Sequence, residues 1–342
     1  MVTHAPLDLD ALVCRSVLKE PKAAPAQVDE VLVNGTAYAL TTVDNVLYLP
    51  ELRIQVIDDR VVPEEAIRDP WNFDFEQRNG WHGGGGQFRT RFDLHEVDET
   101  VCILSNLYAH NFTHWLEELL KVTILERARY AGRYVLSSMP PFARESLRIL
   151  GISRERIADE VTEPTVFRSA VYTTAINFDA LDEPPSAFLA LRAALLTGVA
   201  GIRSPYGERL WLDRGSNVES ADRDLVNPDE VHACAERHGF ERVDIGSLSL
   251  EQQLAAARDA AVIAGAHGSA FAHCAFMKER STVIECFSPL YLNGASFGIC
   301  RALDHRYLMV VDRNSQYFPY PHGDRVHVNL DQLELAFRHL DS

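Results

Sequence analysis

A chain of 342 residues is too long for one ordinary core and fits two domains. Hydrophobic content of 46% and charged content of 24% are those of a globular protein. A net charge of -16 argues against a nucleic-acid binder and a membrane-surface binder, so an anionic substrate has to be held by local positive charge.

The six cysteines form no CxxC pair and sit mostly in apolar segments, which reads as buried, reduced thiols. The N-terminal stretch has neither a basic start nor a continuous apolar run, and no apolar segment is long enough to span a bilayer. A cytoplasmic protein is the expectation.

Residues 1 to about 60 read as β-rich and irregular, with apolar runs at Val31–Val33, Ala37–Thr41, Val46–Leu49 and Ile54–Ile57. Asp8-Leu9-Asp10 spells a metal-holding DxD pattern, but no strand precedes it, so it reads as chance. Residues 70 to 93 carry Trp71, Trp81, His82 and the glycines 83 to 86, a surface loop or a flap over a site. Val101–Leu104 is a strand leading into a helix from about Thr113 to Arg129. On that helix Trp115, Leu116, Leu119, Leu120 and Thr123 share one face. His114, Glu117, Glu118 and Lys121 share the other, either solvated or functional, with His114 in the first turn after a strand. His110 and His114 are four apart, a spacing that binds metal when helical.

Tyr134–Leu136 is a strand, Phe142–Leu150 a helix closed by Gly151, Val166–Thr173 a strand and Ser186–Val199 a helix. The domain boundary falls between about 182 and 207. Beyond it strands and helices alternate. Arg209–Asp213 is a strand, and Asn227-Pro228-Asp229-Glu230 opens a helix ending at Gly239, with Asn227 as cap and Glu230 reaching back. Glu241–Ile245 is a strand, and Ser249-Leu250-Glu251-Gln252 is a capping box opening a helix to Asp259. Ala260–Ala264 is a buried strand, Gly265-Ala266-His267-Gly268 a turn, and Ser269 the cap of a helix through Met277. Thr282–Phe287 and Tyr307–Val311 are strands around a helix near 293–303, and Leu330–Leu340 is a last helix. The alternation predicts an α/β fold whose second domain is a doubly wound parallel sheet. His267 and a helix N-terminus then lie at the carboxyl edge, where such sheets bind ligands and hold phosphates.

Several of these motifs, in this order, resemble glycosyltransferase family 61. They are Asn111-Phe112-Thr113-His114-Trp115-Leu116, Arg214 and Arg223, Asn227 and Glu230, Gln253, His267-Gly268 and Val283-Ile284-Glu285. The likeness covers roughly residues 100 to 290. It departs at Gly268-Ser269-Ala270-Phe271-Ala272-His273, where His273 stands for a usual Asn. The resemblance implies a two-domain GT-B-like fold with a nucleoside diphosphate sugar held mainly by the second domain. That divides the chain into residues 1–200 on the acceptor side, 201–315 on the nucleotide side, and a tail of 316–342.

Arg214 and Arg223 flank a polar loop, either paired with Asp213, Asp222 or Asp224 or gripping a diphosphate as charge builds on it. Glu285 either accepts ribose hydroxyls or pairs with Lys278 or Arg280, and His267, with Gly268 and Ser269, either donates to a phosphate or is a core histidine. Capping accounts for Asn227 and Glu230, and Gln253 is either functional or solvated. Three functions follow. The first is a glycosyltransferase acting on a sugar, glycan or natural-product acceptor, with His114 as general base and Glu117 or Glu118 behind it. The second is a pyranose–furanose mutase on the same nucleotide sugar. The third is a catalytically silent binder. A divalent metal beside His114, His267 or His273 would steady the diphosphate.

Overall fold

The computed structural model describes residues 27–50, 53–57, 60–62, 94–105, 108–137, 139–173, 176, 178, 185–213, 224–315 and 325–340. By packing, these fall into two compact units. The first takes the described residues of Met1–His110, Lys121–Ala143 and Ile152–Ile176; the second takes Asn111–Leu120, Arg144–Gly151 and Asn177–Ser342.

The first unit is built on an eight-stranded mixed sheet. Its strands are β1 (Gln27–Val33), β2 (Thr36–Leu49), β3 (Ile54–Ile57), β4 (Arg60–Val62), β5 (His95–Ile103), β6 (Arg133–Val135), β7 (Ile157–Ala158) and β8 (Thr165–Thr173). The order is β4-β3-β2-β8-β5-β6-β7, with β1 paired to β2 off this path. The β1 to β4 pairs are antiparallel, and β8, β5, β6 and β7 run parallel. Asn34 and Gly35 join β1 to β2 with φ of 48° and 88°, the two positive angles a two-residue hairpin requires. The two short strands expected at Ala37–Thr41 and Val46–Leu49 are one strand of 14 residues, because pairing with β8 resumes at Val46 after Asn45 turns to φ 55°. Val46, Tyr48, Val101, Ile103, Val135 and Phe167 lie in its core.

Helices α1 (Phe112–Arg127) and α2 (Pro141–Ile149) follow β5 and β6. The division runs through α1: its residues through Leu120 go with the second unit. Trp115, Leu116, Leu119 and Leu120 are buried, as their spacing predicts. The opposite face is not solvated: Glu117, Glu118 and Lys121 are buried too, and burial pushes the Lys121 amine well below its ordinary pKa.

The second unit holds a five-stranded parallel sheet of β9 (Arg209–Leu212), β10 (Glu241–Val243), β11 (Val262–Ala266), β12 (Thr282–Phe287) and β13 (Arg306–Val311). Helices α3 (Ser186–Gly198), α4 (Pro228–Arg237), α5 (Leu250–Asp259), α6 (Ala295–Ala302) and α7 (Leu330–Arg338) complete it. The architecture is α/β, as the alternation predicts. The strand order β10-β9-β11-β12-β13 means the chain steps outward from β9 to β10, then returns across β9 to start β11. The topological switch point therefore lies between β9 and β11, where ligands bind in open α/β sheets.

Two local readings change here. Gly265 is inside β11, not in a turn after it. A Cβ there would sit 2.6 Å from the Leu212 carbonyl oxygen, and φ is +156°, so glycine permits the close approach of β9 and β11. The helix after Gly268 is 3-10 over Ser269–Phe276, and Ser269 makes no cap; Gly268 occupies that place in extended conformation. Eight residues is long for 3-10 geometry. Its far end is tied down by Arg192, which donates to the Ala275 and Met277 carbonyls at 2.9 and 2.5 Å.

Candidate functional site

The carboxyl edge of the five-stranded sheet carries a cavity of about 440 Å³ at the switch point. Trp211, Leu212 and Asp213 reach it from the end of β9, Asp244 from the end of β10 and Ala266 from the end of β11. His232 of α4, Arg242 and Arg325 line it as well. Asp213 is already engaged: Arg242 Nε donates to Oδ2 at 2.9 Å, and His232 Nε2 lies 3.1 Å from Oδ1. Asp244 directly follows the second strand of the 2-1-3-4-5 order, the place from which dinucleotide-binding sheets present an acid to a ribose. Of the cavity's polar residues the sequence points only to Asp213 and Asp224, and to those only as partners for the arginines. The available signal was position: Asp213 and Asp244 each stand one residue beyond a strand.

Beside the cavity, His267 is the first residue after β11, and Glu285 pairs in register with Gly265 on β12. Glu285 is completely buried and His267 nearly so. The ring's Nδ1 lies 2.5 Å from Glu285 Oε1. Ser296 Oγ donates to the same oxygen at 3.4 Å, and Tyr307 donates its hydroxyl to Oε2 at 2.7 Å. Burial, then the Glu285 charge, push the Tyr307 phenol far above its ordinary pKa, so it remains a donor. Phe287 stacks on the imidazole at 4.6 Å between centroids. A carboxylate on Nδ1 selects the tautomer in which that atom carries the hydrogen, which makes Nε2 the ring's basic atom. Glu285 meets neither Lys278 nor Arg280 in these contacts; its work is to set the histidine. Gly268 and Ser269, at the start of the 3-10 helix, are half-buried.

The start of α1 packs on that 3-10 helix within the same unit. Phe112 stacks on His273 at 4.4 Å and 13°. His273 Nδ1 lies 2.8 Å from Ala270 O and Nε2 lies 2.9 Å from Gln253 Oε1. Burial brings the His273 pKa down to about 4, so the ring is neutral, a packed element rather than a presented ligand. Gln253 is buried, not solvated, and its Nε2 donates to Leu248 O. Two residues on from Phe112, His114 has 43% of its side chain exposed, and its Nδ1 lies 3.2 Å from Glu117 Oε2. Glu118, one place on, is fully buried. The packing therefore brings His114, Glu117, His267 and Glu285 into one unit. His110 is not part of it: the residue precedes α1, and its Nδ1 lies 2.9 Å from an Arg53 nitrogen.

Arg214, Arg223, Asp8-Leu9-Asp10 and the loop of residues 70 to 93 lie outside the described residues. Asn227 corrects an expectation. It precedes α4 but makes no side-chain cap. Its amide instead pairs with the backbone of Val328, donating to the carbonyl and accepting from the N–H, both at 3.0 Å. The capping box at Ser249 and Gln252 forms as expected. Among the described residues the cysteines are buried and unbridged, and no helix is long and apolar enough to cross a membrane.

Compared with known proteins, residues 86–284 match the family model Glycosyltransferase 61, which is more than half of the chain. No curated protein matches the chain.

Proposed function

The chain belongs to the Glycosyltransferase 61 family, and from that premise we propose that it transfers a sugar from a nucleoside diphosphate held at the carboxyl edge of the five-stranded sheet. The observation that carries this reading is the cavity at the β9–β11 switch point, with an acid at the end of the second strand. Asp244 accepts the ribose hydroxyls. The diphosphate lies toward His267 and the backbone N–H groups of Gly268 and Ser269, with Arg325, Arg214 and Arg223 as the cations that offset its charge. Glu285 keeps the His267 Nδ1–H pointed inward, so Nε2 faces the diphosphate and, once it has taken a proton, donates to a phosphate oxygen.

His114 is the general base. Glu117 holds Nδ1, and Nε2 takes the proton from the acceptor hydroxyl as its oxygen attacks the anomeric carbon. The bond from that carbon to the phosphate oxygen breaks, and the nucleoside diphosphate leaves with the electron pair, stabilised by the positive groups around it. The acceptor is a hydroxyl of a sugar, glycan or natural product. No observation in the site favours the mutase or the silent binder over transfer.

The test is calorimetry with a panel of nucleoside diphosphates. One of them binds the native chain, and Asp244→Asn weakens it roughly tenfold, the loss of about 1.4 kcal/mol that a hydrogen-bonded ribose supplies. If none of them binds, the reading is wrong.

A further inference from the structure

At the amino end of the same sheet a second polar cluster stands apart from everything used above. Cys234 and His238 are four residues apart at the end of α4 and so share a helix face. Glu334 reaches them from α7. One donor atom of each lies within 4.8 Å of the others. Glu334 Oε2 is 2.7 Å from His238 Nε2, and Cys234 Sγ is 3.4 Å from Oε1. Arg237 donates to that Oε1 at 2.9 Å. The His238 ring is steadied by Phe337 at 4.9 Å, and its backbone carbonyl accepts from Arg209 at 3.0 Å.

We propose that Cys234, His238 and Glu334 bind one divalent ion of the zinc class and thereby clamp α7 to α4. Thiolate, imidazole and carboxylate together are the donors that zinc takes in tetrahedral sites, with the fourth position left to water. The spacing of four puts the sulfur and the nitrogen on adjacent turns, as in helical metal motifs. Arg237 is the outer partner that such sites need: it anchors Oε1 and leaves Oε2 turned toward the imidazole. Cys234 is fully buried, while His238 and Glu334 are partly exposed and give the ion a way in. Without an ion the three groups hold one another in balance. Burial, then Glu334, raise the Cys234 thiol to about 11, and His238, Arg237 and Cys234 hold the Glu334 carboxyl down to about 2. On binding, the thiol gives its proton to solvent and the Nε2 hydrogen moves to Nδ1. Sulfur, Nε2 and a carboxylate oxygen then bond the ion, with one proton released per neutral site.

The full chain, stripped of metal with a chelator and dialysed, is titrated with zinc by calorimetry and with cobalt(II) by absorption. One ion per chain is expected, and the cobalt form shows thiolate-to-metal absorption. Cys234→Ser removes that band, and His238→Ala, a change at a part-exposed helix end, weakens zinc roughly a hundredfold with the fold intact. The proposal is overturned if the native chain binds no ion saturably, if the cobalt form lacks the thiolate band, or if both variants bind as the native chain does.

Discussion

The two ends of the five-stranded sheet each set a histidine against a glutamate, and the two pairs are built to different ends. At the carboxyl end, His267 meets a Glu285 that is fully buried and accepts from Ser296 and Tyr307 as well. No guanidinium shares those contacts, so a buried negative charge rests on three donors from three elements. At the amino end, His238 meets a Glu334 with a quarter of its side chain exposed and Arg237 on its other oxygen. Burying a charge is costly unless it is fully hydrogen-bonded, so the first pair is the kind a fold keeps to position a working group. The second pair is screened and self-satisfying, and its lever is on how two helices are held.

The contrast predicts unequal stability losses. Glu285→Ala leaves three donors, the buried His267 and Ser296 and the partly buried Tyr307, facing a void and costs about 3–5 kcal/mol, whereas Glu334→Ala costs about 1 kcal/mol in the ion-free chain. Urea denaturation of both variants reads this directly, and equal losses would erase the distinction.

The carboxyl end is also where turnover should fail. His114→Ala lowers turnover by roughly 10²-fold or more while nucleoside diphosphate affinity stays within about a few-fold. His267→Ala shows the reverse balance, losing affinity first. Steady-state kinetics beside calorimetry separates the two, and a His114 variant with native turnover would remove the base from the mechanism.

Acid should reach the two ends in different windows. The folded His273 has a pKa of about 4 against about 6.5 in the unfolded chain, so the unfolded state binds the proton first. Its contribution is complete above that higher value and falls by about 1.4 kcal/mol per pH unit as the pH drops toward the lower one. Glu334, held down to about 2, keeps its contribution above its ordinary value of about 4.3 and loses it only below that. His273→Gln should therefore flatten the upper part of a stability–pH curve and leave the lower part unchanged; a native-like slope in the variant would contradict this.

Not every residue at the carboxyl end serves the site, and Asn227 marks the boundary. Asn227→Ala removes two hydrogen bonds to Val328 and lowers stability by about 1–2 kcal/mol. Nucleoside diphosphate affinity is expected to be unchanged. A collapse of binding with unchanged melting would move this residue into the site.

Much of the second unit was legible because its signals are local. Short apolar runs separated by Pro, Gly and capping residues mark strands and helices whatever surrounds them, and Thr282–Phe287 and the Ser249 box fall where expected. The first unit was less so. Its sheet depends on partners far apart in the chain, and the Asn34-Gly35 hairpin, a local signal, was passed over. For the site, the sequence pointed to His114, His267 and Glu285 as polar residues at element ends. It could not show that Glu285 faces inward, since either orientation satisfies an alternating strand pattern.

By itself the sequence determined the α/β alternation, the buried face of α1 and the order of family motifs, all of which rest on periodicity and residue chemistry within short windows. Only the tertiary structure decided which polar groups are buried together. The polar face of α1 reads as either solvated or functional on a helical wheel, and Asn227 reads as a cap. Gly265 reads as a turn, yet Leu212 of a neighbouring strand is what requires it. In each case the deciding neighbour is remote in sequence, and the free energy of a polar group depends on whether that neighbour or water is beside it.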